Sequence, residues 1–209
     1  MMQSYVVNQM LRAWRLLLWG VLGILTTSLS FAANLGSLRF EHIGQEQGFL
    51  QQSISSIAQD QQGFMWFGTQ AGLVKFDGYR TTVFQSDPRN PKTISDNFAS
   101  ALYVHRDVSF WVGTQSGLSL YDRQSNSFTN FIRRDKQAAI AGNYKIYAIV
   151  NDGGDGLWLG TDHGLMHFDI HSRQFKDYRH DQDEPNSLRD DLITDLVRDN
   201  NNIFGSVPP

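Results

Sequence analysis

Apolar and polar residues alternate along most of the chain in runs of four to six, and the runs are separated by turns built from Gly, Asp and Asn. That period of two predicts short β-strands. The runs themselves recur. SISSIAQD (Ser53 to Asp60), ASALYVHR (Ala99 to Arg106) and KIYAIVND (Lys145 to Asp152) each open a unit, with Ile57, Leu102 and Ile149 nine residues ahead of a tryptophan. The centres then align without gaps: FMWFGTQAGLVKFDGY at Phe64 to Tyr79, SFWVGTQSGLSLYDRQ at Ser109 to Gln124, GLWLGTDHGLMHFDIH at Gly156 to His171. Trp66, Trp111 and Trp158 are 45 and then 47 residues apart. Aromatic stretches RTTVF, SFTNF and QFKDY close the units at Phe84, Phe131 and Tyr178.

Each unit reads as four strands joined by three tight turns, and four short antiparallel strands at a spacing of about 45 residues are the sequence form of a propeller blade. One blade has two apolar faces and cannot cover both, so neighbouring blades supply the cover. On this reading the chain is all-β, with three complete four-stranded antiparallel β-propeller blades, the start of a fourth, and an incomplete ring. An open solenoid or a β-sandwich is the alternative, but a sandwich does not repeat its whole motif at one spacing. The expected inter-blade packing positions are Trp66, Gly68, Thr69, Gly72 and Leu73; Trp111, Gly113, Thr114, Gly117 and Leu118; and Trp158, Gly160, Thr161, Gly164 and Leu165. The tryptophan supplies bulk and the glycine beside it lets a neighbouring backbone approach. Asp60, Gly63, Asp77, Asp122, Asp152 and Asp169 are the expected turn formers, with Asp199 recurring in the fourth unit.

The first residues differ from the rest. Arg12 and Arg15 precede an apolar run from Leu16 to Leu25, followed by small residues and SFAA at Ser30 to Ala33. This is the pattern of a secretory signal peptide over 1–32, cut before Ala33, which places the product in the periplasm or another extracytoplasmic space. An uncleaved anchor is the alternative, although the run is shorter than the roughly 20 apolar residues of a spanning helix. The expected organisation then continues with a lead-in segment over 33–52, blade 1 over 53–97, blade 2 over 98–144, blade 3 over 145–189, and the start of blade 4, broken off, over 190–209.

Candidate chemistry changes this picture little. Eighteen Lys and Arg against 21 Asp and Glu give a net charge of −3 with no long basic run, which argues against a nucleic-acid partner. The absence of cysteine removes disulfides, thiolate ligands and cysteine nucleophiles. His163, His167 and His171 are spaced by four, a metal-binding face on a helix, but the repeat puts them in a turn, on a strand and past its end. NDGGDG at Asn151 to Gly156 crowds oxygen donors together but lacks the alternating ligand series of a calcium loop. Aspartates that recur in every copy point to turn hydrogen bonds, since a catalytic carboxylate is needed once. Neither a nucleophile elbow nor a phosphate-binding glycine loop is present. The reading therefore holds no catalytic, cofactor-binding or metal residues. Tyr79, Tyr121 and Tyr178, at or after the third strands, are candidates to stack on a sugar ring at a rim.

The pattern of Ile57, Asp60, Gly63, Trp66, Gly68, Thr69, Gly72, Leu73, Phe76, Asp77 and Gly78 resembles the two-component regulator propeller repeat. NPKTISDN (Asn90 to Asn97) and EPNSLRDD (Glu184 to Asp191) are similar to that family's inter-blade phrase. The resemblance covers roughly residues 39 to 200. It implies the exported sensory part of a bacterial membrane signalling protein, non-catalytic itself, which binds a ligand or relays a signal. In such proteins further blades complete the propellers, and a histidine kinase or diguanylate cyclase lies beyond a membrane helix. An oligosaccharide or other small molecule is the implied ligand, and the membrane is met only through a C-terminal region this sequence lacks. Three departures stand out. His105 and Val108 replace Asp60 and Gly63, so the first turn of repeat two is expected to be built differently. NDGGDG looks like an insertion. Repeat four should reach a tryptophan near position 205, but reads NNNIFGSVPP from Asn200 to Pro209. A truncated product, a frameshift near Asn200 or a fragment of a longer reading frame is therefore expected, with self-association of two chains into one ring as an alternative. The other functional alternatives are a fragment of a secreted propeller enzyme, such as a polysaccharide or lactone lyase, and a remnant without function.

Overall fold

The computed structural model describes Gly44 and residues 53–133, 144–199 and 204–206. Gly44 apart, the expected signal peptide and lead-in segment lie outside the described residues. The chain divides into two units, Met1–His42 and Ile43–Pro209, and the second is described here.

Twelve strands form three sheets of four, each antiparallel and in chain order. Blade 1 is β1 (Ile54–Gln59), β2 (Met65–Thr69), β3 (Gly72–Phe76) and β4 (Thr81–Phe84). Blade 2 is β5 (Ala99–Val104), β6 (Phe110–Thr114), β7 (Gly117–Asp122) and β8 (Ser127–Phe131). Blade 3 is β9 (Ile146–Asn151), β10 (Gly156–Thr161), β11 (Gly164–Asp169) and β12 (Gln174–Tyr178). The second strands have apolar residues at successive positions, MWF, FWV and LWL, because both of their faces are covered.

Alternation decides which neighbour each residue meets. Trp66 is fully buried and faces blade 2, with ring centroids 4.6 Å from Phe110 and 4.9 Å from Tyr121. Phe110 and Val112 share that seam, along with Leu73, Ala99 and Phe128. Trp111, between them in sequence, points the other way into a seam with Ile146, Leu157, Leu159 and Phe168 of blade 3. Trp158 is half-buried beside Ile193 and Leu196 of the fourth unit.

The glycine two residues after each tryptophan is where the next blade comes closest. A Cβ on Gly68 would lie 2.5 Å from the Ala99 carbonyl oxygen, one on Gly113 2.6 Å from Ile146 Cγ2, and one on Gly160 2.8 Å from the Ile193 carbonyl oxygen. The first strands bulge at Ser55, Ser100 and Tyr147. The two bulged serines are re-aimed across the seam, donating to the carbonyls of Ala99 and Ile146 at 2.5 Å.

Two expectations need correction. The first turn of blade 2 has the same backbone as that of blade 1. Asp60 N–H bonds Phe64 O at 3.0 Å and Gly63 N–H bonds Asp60 O at 3.0 Å; the counterparts from His105 to Ser109 O and from Val108 to His105 O are 2.9 and 3.0 Å. Val108 accepts a left-handed φ of 72°, where Gly63 has 88°. Secondly, NDGGDG inserts nothing: Asp152 stands six positions before Trp158, as Asp60 stands six before Trp66. The fourth unit is the start of a blade, a hairpin in which β13 (Leu196–Arg198) pairs antiparallel with β14 (Phe204–Ser206). Val197 opposes Gly205 there, as Ala58 opposes Trp66 in blade 1, so the hairpin forms with glycine in the tryptophan position.

Candidate functional site

The threonine of each GT pair was expected as a packing residue. In the structure its buried hydroxyl closes the hairpin between the second and third strands. Thr69 Oγ1 donates to Gly72 O at 2.7 Å and accepts from Ala71 N–H at 3.1 Å. Thr114 does the same with Gly117 and Ser116, and Thr161 with Gly164 and His163. The following glycines have φ of 133°, 132° and 104°, and the fourth strand's backbone leaves no room for a side chain, with Phe84 O 2.5 Å from a Cβ placed on Gly72. Leu73 and Leu118 are fully buried, and Leu165 is partly so.

The aspartates sit at turns. Asp77 accepts from Arg80 and Tyr79 N–H at 2.7 and 2.8 Å, and those two bonds, in that order, hold its carboxyl below the ordinary range. Asp122 is lowered first by the Ser125 hydroxyl and then by Gln124 N–H, and Asp169 by the backbone and hydroxyl of Ser172. Asp60 is buried, and its Oδ1 accepts from Gln62 and Phe64 N–H at 2.9 and 3.1 Å. Its Oδ2 accepts the Trp66 indole N–H at 3.1 Å and lies 3.5 Å from Arg123 of blade 2. One carboxylate thus fixes a turn, orients the repeat tryptophan and ties two blades together.

Blade 2 lacks that aspartate and passes the task along. The Trp111 indole donates to Ser109 Oγ at 2.8 Å, Ser109 donates to Asp107 at 2.6 Å, and His105 Nδ1 lies 2.9 Å from the same carboxylate. Burial raises Asp107, but the Ser109 and His105 bonds outweigh it and leave the group lowered. In blade 3, Asp152 accepts Gly154 and Gly156 N–H at 2.7 and 3.1 Å and pairs with His167 Nε2 at 2.8 Å. Burial raises Asp152, and those bonds, His167 foremost, lower it further than burial lifts it.

Asn151 joins blades 2 and 3 and the fourth unit, and no repeat signal marks it, since Gln59 and Val104 occupy the matching positions. Its Oδ1 accepts from Arg106 at 3.2 Å, Arg198 at 2.8 Å and Gly153 N–H at 2.9 Å. Its Nδ2 donates to Gly154 O at 2.9 Å and lies 3.1 Å from His105 Nε2. Tyr103 lines the same rim, its hydroxyl pushed up by burial.

The three spaced histidines do not converge: His163 pairs with Asp162, His167 with Asp152 and His171 with Asp155. Among the described residues no three His, Cys, Asp or Glu form a metal-binding group. The tyrosines separate too. Tyr79 is 79% exposed, whereas Tyr121 is buried with its hydroxyl 2.5 Å from Asn126. Tyr178 ends the fourth strand of its blade, not the third, and lies 5.4 Å from the Trp158 ring.

The two connectors fold alike. Ser86 N–H bonds Asn97 Oδ1 and Asp87 N–H bonds Thr93 Oγ1; His180 N–H bonds Asp191 Oδ1 and Asp181 N–H bonds Ser187 Oγ.

Comparison with known proteins agrees with this architecture. The chain is similar to the extracellular domain of a protein described as a hybrid two-component system, BT3049 of B. thetaiotaomicron, at 26% identity and a TM-score of 0.64 over 76% of this chain and 22% of that one. The extracellular domain of BT4673 from the same organism matches at 20% identity and a TM-score of 0.64 over 78% and 21%. Histidine kinase P4 of Formosa agariphila is 32% identical over 68 residues, which are 32% of this chain and 5% of that protein. The chain therefore spans about a fifth of the length of the solved relatives. Residues 48–71 match the two-component regulator propeller family. The blade that contains this match is repeated twice more in register behind it, so the chain carries a match to that family within a repeated propeller-blade architecture.

Proposed function

We propose that this chain is an extracytoplasmic propeller segment of a bacterial signal-transduction protein, which binds a ligand or relays a signal without catalysis of its own. The observation that carries the reading is the match of its three blades, at 26% identity, to the extracellular domain of a protein described as a hybrid two-component system. The seams suit such a role. Aromatic packing joins neighbouring blades, while the polar ties between blades at Asp60 and Asn151 sit at turns, where a ligand or neighbouring domain acts on exposed loops. Kinase or cyclase output belongs to other parts of a longer protein on this reading.

Export is tested by fusing alkaline phosphatase after residue 199 in a Gram-negative host. The enzyme is active only outside the cytoplasm, so activity that disappears on deletion of residues 1–32 is expected. Cytoplasmic, inactive fusion protein at normal abundance overturns the reading.

A further inference from the structure

A cavity of about 420 Å³ opens between blades 2 and 3, lined by Asn130, Phe131 and Arg133 at the end of β8 and by Arg173, Gln174 and Phe175 at the start of β12. Its size falls within the range of small-molecule sites, and it combines aromatic walls with polar groups. Arg133 is committed to an ion pair with Asp177. Asn130 is committed as well, donating to Thr93 O at 2.8 Å and accepting from Ser119 Oγ at 2.7 Å. Arg173 is different. Its guanidinium lies 5.9 Å from the Phe131 ring centroid, and among the described residues no carboxylate holds it.

The backbone at Arg173 sharpens the point. It has a left-handed φ of 58° at a turn whose counterpart in blade 2 is Asn126, at 52°. Asn is among the residues that tolerate this conformation, and a long side chain such as Arg is poorly suited to it. Blade 3 therefore breaks the local turn rule, and what it gains is a guanidinium at the mouth of the cavity. Departures of this kind concentrate at functional sites.

The geometry points to a binding site for a small ring-bearing carboxylate, with Arg173 taking the charge and Phe131 and Phe175 flanking the ring; Gln174, whose Nε2 makes a long 3.5 Å bond to Ser172 O, lines the mouth. Two carboxylates flank the site in blade 3, Asp177 on β12 and Asp169 on β11 opposite Gln174. Asp177 is neutralised by Arg133, and Asp169 is spent on the turn through Ser172. The inference deepens the ligand-binding reading above by naming a ligand class, and it can fail while export holds.

The test is calorimetric titration of the full chain with benzoate and glucuronate, beside their neutral counterparts benzamide and glucose. The two carboxylates distinguish a flat aromatic ligand from an acidic sugar. Saturable binding of at least one carboxylate is expected, weakened by about tenfold or more in Arg173→Asn, as for loss of a charge-assisted pair. Arg173→Lys should retain part of the affinity. A merely structural arginine predicts the reverse pattern, because Asn suits the turn: Arg173→Asn would then leave binding unchanged while stability held or rose. Equal binding of the neutral compounds, no saturable binding of either carboxylate, or unchanged affinity in Arg173→Asn overturns the proposal.

Discussion

Val108 has a left-handed φ of 72° in a turn whose hydrogen bonds reproduce those around Gly63. A β-branched residue in that region carries roughly 1–3 kcal/mol of backbone strain. Its side chain is 40% exposed, so removing it loses only part of a valine's burial. Glycine also costs about 0.5–1 kcal/mol through the freedom it gives the unfolded chain. Relief of strain exceeds this cost, and Val108→Gly should stabilise the protein by about 1 kcal/mol, or about 2–4 °C in Tm. The reciprocal change isolates the cause. A Cβ on Gly63 meets only Gln59 Nε2, at 3.9 Å, so Gly63→Val is penalised by backbone conformation and not by a clash. It should destabilise by about 1–2 kcal/mol. Urea unfolding of both variants, followed by tryptophan fluorescence, measures the pair. If Val108→Gly is destabilising while Gly63→Val is neutral, left-handed strain is not what distinguishes the two turns.

Three further outcomes follow from the seams and turns. Trp66→Ala empties a fully buried position between blades 1 and 2 and should cost about 3–5 kcal/mol in the same unfolding assay. Thr114→Val keeps the shape but leaves Ser116 N–H and Gly117 O without the hydroxyl, for a loss of about 1–3 kcal/mol; an unchanged denaturation midpoint would remove the turn-closing role. Asp152 is held below its ordinary value of 3.8, so the folded state favours the ionised form; its contribution is present above the unfolded pKa and lost as pH falls through the folded one. Asp152→Asn should therefore be less stable than the parent at neutral pH and show a shallower loss of stability on acidification below about pH 4, measured by denaturant midpoint against pH.

The repeat was legible because it is written in residue types whose physics is local. Alternation marks a strand, a glycine with positive φ marks a turn, and an aspartate beside exposed N–H groups marks a cap. Strand order within each blade follows from those signals, and parity alone sets the two faces of each strand. The threonine hydroxyl of each hairpin was harder to place, because a buried Thr in a strand reads equally well as packing.

The sequence by itself determined the all-β class and the blade repeat of about 45 residues, because these rest on hydrophobic period and turn chemistry carried by each copy. Tertiary structure alone decided what single copies do differently. Val108 keeps a glycine's backbone, Asn151 gathers donors from Arg106 and Arg198 some 45 residues away on either side, and Arg173 is brought against Phe131 at a cavity between blades. The Asn151 and Arg173 contacts join residues of different blades, which no period within the chain encodes and which exist only once the sheets are packed face to face, while Val108 is held in its turn by the hydrogen bonds of the surrounding hairpin.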